Sequence, residues 1–178
     1  MKIPENLILR PLQEPDIKIL GDLYFPWSTR EETIEKWTRY LDEQQKNTRN
    51  ACIVEQQGKI IGYGHLLPYS EYPHFRNNSI PEINELWVYE DDRKKGVGTL
   101  LIGHLEQLAK HQGYDQIGIG VGLYRDYGPA QRLYFRLGYK PDGEGITYKS
   151  NAVIPGEKYP VDDDLILWFI KKLYTQTT

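Results

Sequence analysis

The chain has 178 residues, of which 39% are hydrophobic and 26% are charged. This composition excludes an intrinsically disordered chain, because disordered chains combine few hydrophobic residues with a high net charge. The net charge of -3 provides no overall positive field, so a nucleic-acid or anionic-membrane partner is not favoured. At this length we expect one folded domain over residues 1–178.

The single cysteine, Cys52, cannot form an internal disulfide, which fits a reducing compartment. The opening residues, MKIPENLILRPL, lack the basic and then apolar pattern of a secretion signal. No apolar stretch approaches the roughly 20 residues that a membrane-spanning helix needs. We therefore expect a cytoplasmic protein. Cys52 lies in an apolar strand pattern without an evident histidine partner, so core packing is favoured over a nucleophilic role.

The first third of the sequence predicts a strand followed by two helices. Alternation over residues 7–10 predicts the strand, and a helical pattern begins at Pro15 or Asp16. Residues 28–31, Ser-Thr-Arg-Glu, have the spacing of a capping box. A second helix is expected to follow them, because Ile34, Trp37 and Leu41 share one helical face.

The middle of the sequence predicts strands joined by short turns. Residues 51–55 and 59–67 flank Gln-Gln-Gly, which is typical of an antiparallel hairpin closed by a glycine turn. Residues 69–78 are rich in aromatic and turn-forming residues and predict a loop. Another strand is expected over residues 83–89.

The last part of the sequence predicts a parallel strand pair connected by a helix. A helix is expected from Gly98 to a stop at Gly113, followed by a strand over residues 116–121 that runs parallel to the strand at 83–89. A short helix from Pro129 to Gly138 and two late strands, 145–153 and 165–171, complete the chain. The predicted fold class is α+β, with a mixed sheet and one strand–helix–strand unit.

The connection from the strand at 83–89 into the long helix contains two glycines, Gly96 and Gly98. Glycines at such a turn let successive backbone N–H groups point into one concavity at the helix N-terminus, and Arg93, Lys94 and Lys95 add positive charge. This arrangement suits a pyrophosphate. The alternative is a tight turn with solvated lysines. Neither the Gly-Lys-Ser/Thr of a P-loop nor the spacing of a dinucleotide fingerprint is present.

Two segments carry a resemblance to a known family. The residues Arg-Lys-Lys-Gly-Val-Gly at 93–98 resemble the Q/R-x-x-G-x-G/A motif of the GNAT N-acetyltransferase superfamily. Residues 130–139, AQRLYFRLGY, resemble its A-x-x-L-Y-x-x-x-G-F/Y signature. With the order of elements, the similarity covers almost the whole chain. It implies the GNAT fold, a mostly antiparallel sheet with a parallel, splayed strand pair and flanking helices.

The resemblance also implies acetyl-coenzyme A as cofactor and coenzyme A as product. The pyrophosphate would lie over the N–H groups of residues 94–99, and the N–H of Val88 would polarise the thioester carbonyl. Tyr127 stands where the family commonly has Asn, which alters one polar contact to the pantetheine. The expected cofactor-binding residues are Trp87, Val88, Arg93, Lys94, Lys95, Gly96, Val97, Gly98, Thr99, Tyr127 and Ala130.

An amine acceptor with a pKa near ~10 is about 99.9% protonated at neutral pH, so its attack requires removal of a proton. Glu85 resembles the general base of some family members, and Glu82 is a second candidate; the alternative is that both carboxylates face solvent at a strand end. Tyr134 matches the tyrosine that acts as general acid in many GNAT enzymes. Its alternative role is packing.

The acceptor is expected against residues 24–27, the loop at 69–75 and the late strands. Trp27, Tyr69 and Tyr72 could bind it, with Phe75 beside them, although aromatic loops also cap cores. Residues 162–164, three aspartates, are expected to solvate a turn rather than to attract a cation. His104 and His111 lack the spacing of a metal site, so no metal is expected.

The predicted function is direct acetyl transfer to a primary amine of a small molecule in a ternary complex. Three alternatives stay open: acetylation of a protein or peptide amine, a non-catalytic acyl-coenzyme A sensor, and an interaction module that uses the aromatic loop. The expected partner is a small-molecule amine, without nucleic acid or membrane, and a homodimer is left open.

Overall fold

The computed structural model describes residues 6–23, 25 and 27–173. These residues form two compact units. The first contains the described residues of Met1–Leu66 and Glu85–Leu101, and the second those of Leu67–Asn84 and Ile102–Thr178. The expectation that residues 1–178 form one domain stays a prediction.

Within the described residues the strands form one mixed sheet, as the sequence predicted, with eight members rather than the seven strands expected. Their order across the sheet is β1-β2-β3-β4-β5-β8-β6-β7. The pair β4–β5 is parallel, whereas β1–β2, β2–β3, β5–β8, β8–β6 and β6–β7 are antiparallel. The strand bounds are β1 Leu7–Pro11, β2 Asn50–Gln56, β3 Lys59–Leu67, β4 Glu82–Val88, β5 Gln116–Gly122, β6 Lys140–Tyr148, β7 Asn151–Ala152 and β8 Leu165–Lys172.

The helices follow the sequence patterns closely. Their bounds are α1 Glu14–Gly21, α2 Arg30–Gln45, α3 Pro73–Asn77, α4 Val97–His111 and α5 Gly128–Arg136. The predicted strand–helix–strand unit is β4–α4–β5, and Gly113 and Gly138 follow α4 and α5 with positive φ angles of 87° each. None of the helices in the described part of the chain is long and apolar enough to cross a bilayer.

The capping box of α2 lies one residue later than the sequence pattern suggested. Thr29 is the N-cap, and its hydroxyl oxygen accepts a hydrogen bond from the backbone N–H of Glu32 at 3.2 Å. The carboxylate of Glu32 accepts the backbone N–H of Thr29 at 2.8 Å. The prediction of Ser28 and Glu31 was wrong because Ser28 instead bonds Thr33 through its hydroxyl group.

Two predictions for the second unit also need correction. Residues 69–78 are not wholly a loop, because Pro73 begins the short helix α3, which buries Phe75 completely. The late strand predicted over 145–153 is divided between the end of β6, a turn and β7. Both Lys149 and Ser150 in that turn have positive φ angles, 50° and 62°, which end the extended run.

Each unit has its own buried cluster. In the first unit, side chains of α1, α2, β2 and β3 pack around Trp37, which is 0% exposed. In the second, Tyr72, Phe75, Ile80 and Trp168 form the cluster. Gly118 of β5 is required there, because a Cβ at this position would lie 2.1 Å from the ring of Phe75. Phe75 can therefore approach the backbone of β5 closely only because residue 118 has no side chain.

Candidate active site

The turn between β4 and α4 has the backbone geometry of an anion-binding nest. Lys94 and Gly96 have positive φ angles of 63° and 89°, whereas Lys95 between them does not, and Val97 begins the helix. Successive residues of alternating handedness direct their N–H groups into one concavity. Gly96 adopts this conformation without the steric penalty that a side chain would add.

The start of α4 adds further donors to this turn. The first helical bond runs from the N–H of Leu100 to the carbonyl of Gly96 at 3.0 Å. The N–H groups of residues 97–99 precede that bond and therefore have no acceptor within the helix. Together with the helix dipole, they make the turn electropositive at its centre.

The basic side chains of the turn differ in their surroundings. The Nε of Arg93 donates to the carbonyl of Val88 at 2.9 Å, and its guanidinium lies 5.0 Å from the centre of the Trp87 ring. Lys95 forms an ion pair with Asp92 at 2.9 Å. Lys94 is exposed. Arg93 and Lys95 are thus held by neighbouring groups of the turn.

Strand β4 contains a local distortion at Glu85, whose φ angle is 46°. For a non-glycine residue this conformation costs about 1–3 kcal/mol, and such strain clusters at functional sites. The parallel pairing with β5 comprises Glu82 with Gly118 and Ile83 with Ile119, so it precedes the distortion.

One backbone N–H group at the end of β4 points away from β3. The N–H of Tyr89 donates to the carbonyl of Ile61 on β3 at 3.1 Å. Because N–H groups of consecutive residues in an extended chain point to opposite sides, the N–H of Val88 is directed away from β3. This is the orientation required of a donor to a ligand lying along the other edge of β4.

The two candidate bases have different environments. The carboxylate of Glu85 accepts the phenol of Tyr40 at 2.6 Å and pairs with Lys36 at 3.3 Å, and its side chain is 34% exposed. Glu82 is 5% exposed and accepts hydrogen bonds from Ser70 and from Asn84, the latter at 2.8 Å. Glu85 is therefore accessible to a water molecule or an amine, whereas Glu82 anchors the segment that contains Ser70.

Tyr134, the candidate acid, lies on α5 in the second unit and is 6% exposed. Burial raises the pKa of its phenol well above the usual range, so the hydroxyl group stays protonated at neutral pH. Its ring lies near those of Tyr139 and Phe169, with centroids 6.2 Å and 6.5 Å away. The side chain is packed, and its phenol is protonated at neutral pH.

Tyr127, at the position where the family commonly has Asn, packs over the backbone of β5. A Cβ at Gly122 would lie 2.4 Å from its ring. Its hydroxyl group donates to Asp163 at 2.9 Å, and the phenol of Tyr124 donates to the same carboxylate. Asp163 therefore orders a tyrosine pair. Ala130 lies in the first turn of α5.

The predicted acceptor residues divide into exposed and buried members. Trp27 is 61% exposed and Tyr69 is 74% exposed. Tyr72 is only 4% exposed; its ring stacks on Trp168 at 4.3 Å and its hydroxyl group donates to Asp142 at 2.9 Å. The sequence left two roles open for the aromatic segment, binding of the acceptor and capping of the core. Tyr72 and Phe75 have the second role, because both are buried. Tyr24 and Pro26 of the predicted segment 24–27 lie outside the described residues.

A cleft of about 350 Å³ lies along α2 beside Glu85. Trp27 was predicted from the sequence, whereas the lining residues on α2 were not. Lys36 could have been indicated by its i, i+4 spacing with Tyr40, which places a cation and a phenol on one helical face. The lining residues are Trp27, Ser28, Glu32, Glu35, Lys36 and Arg39.

Cys52 and Asp162, which were not assigned to the site from the sequence, have structural roles. Cys52 is buried, and burial raises the pKa of its thiol to about 12, so it is not a thiolate at neutral pH. Asp162 accepts the phenol of Tyr148 at 3.1 Å. Among the described residues, no group of three or more His, Cys, Asp or Glu side chains is placed to hold a metal ion.

The predicted residues are distributed over both units. The first unit contains Glu85, Trp87, Val88, residues 93–99 and Trp27. The second contains Tyr69, Tyr72, Tyr127, Ala130 and Tyr134. A nest preceded by a distorted strand and followed by a helix is the arrangement expected of a protein that binds a pyrophosphate-containing ligand.

Comparison with known families agrees with a protein that binds a pyrophosphate-containing ligand. The sequence model of the GNAT acetyltransferase family matches residues 17–139, which is more than half of the chain. The protein belongs to the GNAT acetyltransferase family.

Individual relatives are distant. Human N-acetyltransferase 8 is 25% identical over 123 residues, which cover 62% of this chain and 52% of that protein. The chain thus spans about half the length of the curated relatives it matches.

Solved structures share the fold at low identity. A spermidine N-acetyltransferase from Vibrio cholerae, in complex with CoA and spermine, has a TM-score of 0.67 and 17% identity, and covers 96% of this chain and 97% of its own. An N-acetyltransferase from Staphylococcus aureus Mu50 has a TM-score of 0.69 and 18% identity, and covers 96% and 100%.

Proposed function

We propose that the protein transfers the acetyl group of acetyl-coenzyme A to a primary amine of a small molecule. The observation that carries the proposal is the nest at residues 94–97, whose alternating φ angles turn backbone donors toward one point at the start of α4. A diphosphate matches this site in charge and in its need for several donors. Membership of the GNAT family supports the same ligand.

The backbone of β4 supports a second part of the proposal. The N–H of Val88 is directed away from β3, and we assign it to polarise the thioester carbonyl. A bound thioester supplies an activated acetyl group. The residues of β4 and of the turn would orient that group, and Trp87, Tyr127 and Ala130 complete the proposed binding set.

Proton removal from the acceptor is assigned to Glu85, directly or through a water molecule. Its carboxylate is partly exposed, whereas that of Glu82 is buried and occupied by Ser70 and Asn84. In the proposed reaction the amine nitrogen bonds to the acetyl carbon, the carbon–sulfur bond breaks, and Tyr134 protonates the departing thiolate. Burial keeps the phenol of Tyr134 protonated at neutral pH but also makes it a weaker acid, so this assignment rests on the position of Tyr134 in the segment AQRLYFRLGY rather than on its pKa.

The acceptor is assigned to the cleft along α2 near Glu85. The carboxylate of Glu35 and the exposed indole of Trp27 are suited to an amine, although Lys36 and Arg39 line the same cleft. The carboxylate of Glu32 is engaged by Thr29. The related fold of a spermidine N-acetyltransferase supports a small amine as substrate. The proposed setting is the cytoplasm, where a lone cysteine persists in its reduced form. A homodimer is compatible with the proposal but not required by it.

Two measurements test this function in sequence. Acetyl-coenzyme A at about 100 times its Kd should stabilise the fold by about 2.7 kcal/mol, which a thermal-shift assay detects. Release of free thiol should then be measured against polyamines, aminosugars and a peptide with a free N-terminus. Thiol release with small amines supports the proposal, and release with the peptide alone would replace it with protein acetylation. A thermal shift without turnover on any amine would indicate an acyl-coenzyme A sensor, and no shift at all would contradict cofactor binding.

A further inference from the structure

Two residues one turn apart on α2 hold different oxygens of the same carboxylate. The phenol of Tyr40 donates to Oε1 of Glu85 at 2.6 Å, and Nζ of Lys36 lies 3.3 Å from Oε2. The i, i+4 spacing places both side chains on one helical face. We propose that Lys36 and Tyr40 are positioning residues that clamp the Glu85 carboxylate in a single orientation for proton transfer, an inference that rests on the proposed function.

The ring of Tyr40 is itself fixed by its surroundings. It is 4% exposed, and the guanidinium of Arg49 lies 3.9 Å from the ring centre. Rings of Trp37 and His65 meet it edge to face at 5.6 Å and 4.9 Å. Packing of this kind fixes the plane of the ring, whose hydroxyl group donates to Glu85.

Arg49 is anchored on both sides of this contact. It donates to Glu43 at 2.6 Å and to Nδ1 of His65 at 2.8 Å. His65 is completely buried, and burial together with Arg49 and Lys36 lowers its pKa well below the usual value. The imidazole is therefore neutral and accepts the Arg49 hydrogen bond, so a buried ring and a buried cation support Tyr40 from behind.

The strained backbone of Glu85 explains why its side chain needs two contacts. A left-handed residue within a strand persists only where the surrounding structure fixes it. The clamp uses one lone pair of each oxygen, and the side chain remains 34% exposed. Further lone pairs stay accessible, so the carboxylate can accept a proton from a water molecule or an amine while it is held.

The phenol is suited to remain a donor. Burial, with a smaller contribution from Glu85, raises the pKa of Tyr40 above its usual range. The charged and titratable groups that face Glu85 are Lys36 and Tyr40 of α2 and Tyr63 of β3, whose own pKa burial also raises. Within this set only Lys36 carries a charge at neutral pH.

The decisive variant is Tyr40→Phe, which keeps the ring and removes the donor. We expect kcat to fall about 10- to 100-fold, with the Kd for acetyl-coenzyme A and the acceptor KM unchanged, because a misplaced group costs rate rather than binding.

Tyr89→Phe is the matched control. It removes a buried phenol oxygen from the same unit, and that oxygen has no hydrogen-bond partner among the described residues. Its kcat should equal that of the unaltered protein. If Tyr40→Phe behaves like this control, or loses only thermal stability, then Tyr40 is a packing residue and the proposal is wrong.

A second variant covers a failure of Tyr40→Phe to fold. Lys36 is partly exposed, so Lys36→Met should fold and should also lower kcat, with the Kd for acetyl-coenzyme A unchanged. An unchanged kcat in a folded Lys36→Met protein would overturn the clamp.

The clamp can be separated from the function by a measurement without turnover. If the unaltered protein shows no acetyl transfer, the proposed function fails, and the carboxyl carbon of Glu85 can be observed by carbon-13 NMR instead. A change of its chemical shift in Tyr40→Phe, with none in Tyr89→Phe, supports the clamp because the donor to Oε1 has been removed. The same chemical shift in Tyr40→Phe as in the unaltered protein overturns it.

Discussion

Burial has different consequences for two titratable side chains. Cys52 and Tyr134 are both nearly inaccessible, and burial raises the pKa of each because it disfavours the charged form. For the thiol the result is inertness. The phenol keeps its proton at neutral pH but is a weaker acid than an exposed tyrosine, so its proposed role requires direct contact with the departing thiolate.

Replacing Tyr134 with phenylalanine should slow turnover more than it weakens cofactor binding. The ring remains packed near Phe169 while the proposed proton donor is lost, and general acid catalysis contributes about 10²-fold or more. Steady-state kinetics and a binding titration measure the two effects. Tyr139→Phe is the control, because Tyr139 stands at the last position of the family signature, where either Phe or Tyr occurs. An unaltered rate in Tyr134→Phe would show that Tyr134 is not the acid.

Cys52 should not react with a thiol reagent in the native protein. With a thiol pKa of about 12 and 4% exposure, its thiolate is scarce and shielded at pH 8. Titration with a chromogenic disulfide should detect no protein thiol until denaturant is added, and then one per chain. Rapid native labelling would show that β2 opens locally.

At the level of elements, much was predictable from sequence because the signals were local. Apolar periodicity and glycine stops predicted α4 and α5, and a glycine turn predicted the hairpin of β2 and β3. Helix α3 was missed because five residues show too little periodicity, although Pro73 marks its start. The capping box was displaced by one residue because both Ser28 and Thr29 are good N-caps.

A single charge in the turn before α4 should abolish cofactor binding. Gly96→Asp places a carboxylate at the nest, where it would repel a diphosphate. Gly113→Asp is matched to it, since the two glycines have φ angles of 89° and 87° and lie before and after the same helix. Both variants carry the same backbone strain and the same charge.

Calorimetric titration with acetyl-coenzyme A should therefore detect binding to Gly113→Asp and none to Gly96→Asp. Equal affinity in the two variants would mean that the cofactor is held elsewhere. Loss of binding in both would indicate general destabilisation, which melting curves without ligand would reveal.

At the scale of the whole molecule, the sequence predicted the mixed sheet and the nest but not the environment of Glu85. Its contacts with Lys36 and Tyr40 join residues far apart in sequence, and its left-handed backbone arises from tertiary packing. Strand β8 likewise lies between β5 and β6, an order that no local pattern specifies. The positions of the motifs could therefore be assigned from the sequence. The side chains that orient the motif residues could be identified only in the folded structure.

The kinetic order of the reaction distinguishes direct transfer from double displacement. Double displacement needs an enzyme group that accepts the acetyl group, and burial with a raised pKa excludes the thiol of Cys52 from that role. Under the proposed direct transfer both substrates are bound together, so plots of reciprocal rate against reciprocal amine concentration should intersect as acetyl-coenzyme A is varied. Parallel lines, or an acetylated protein detected by mass spectrometry in the absence of amine and discharged when amine is added, would contradict direct transfer.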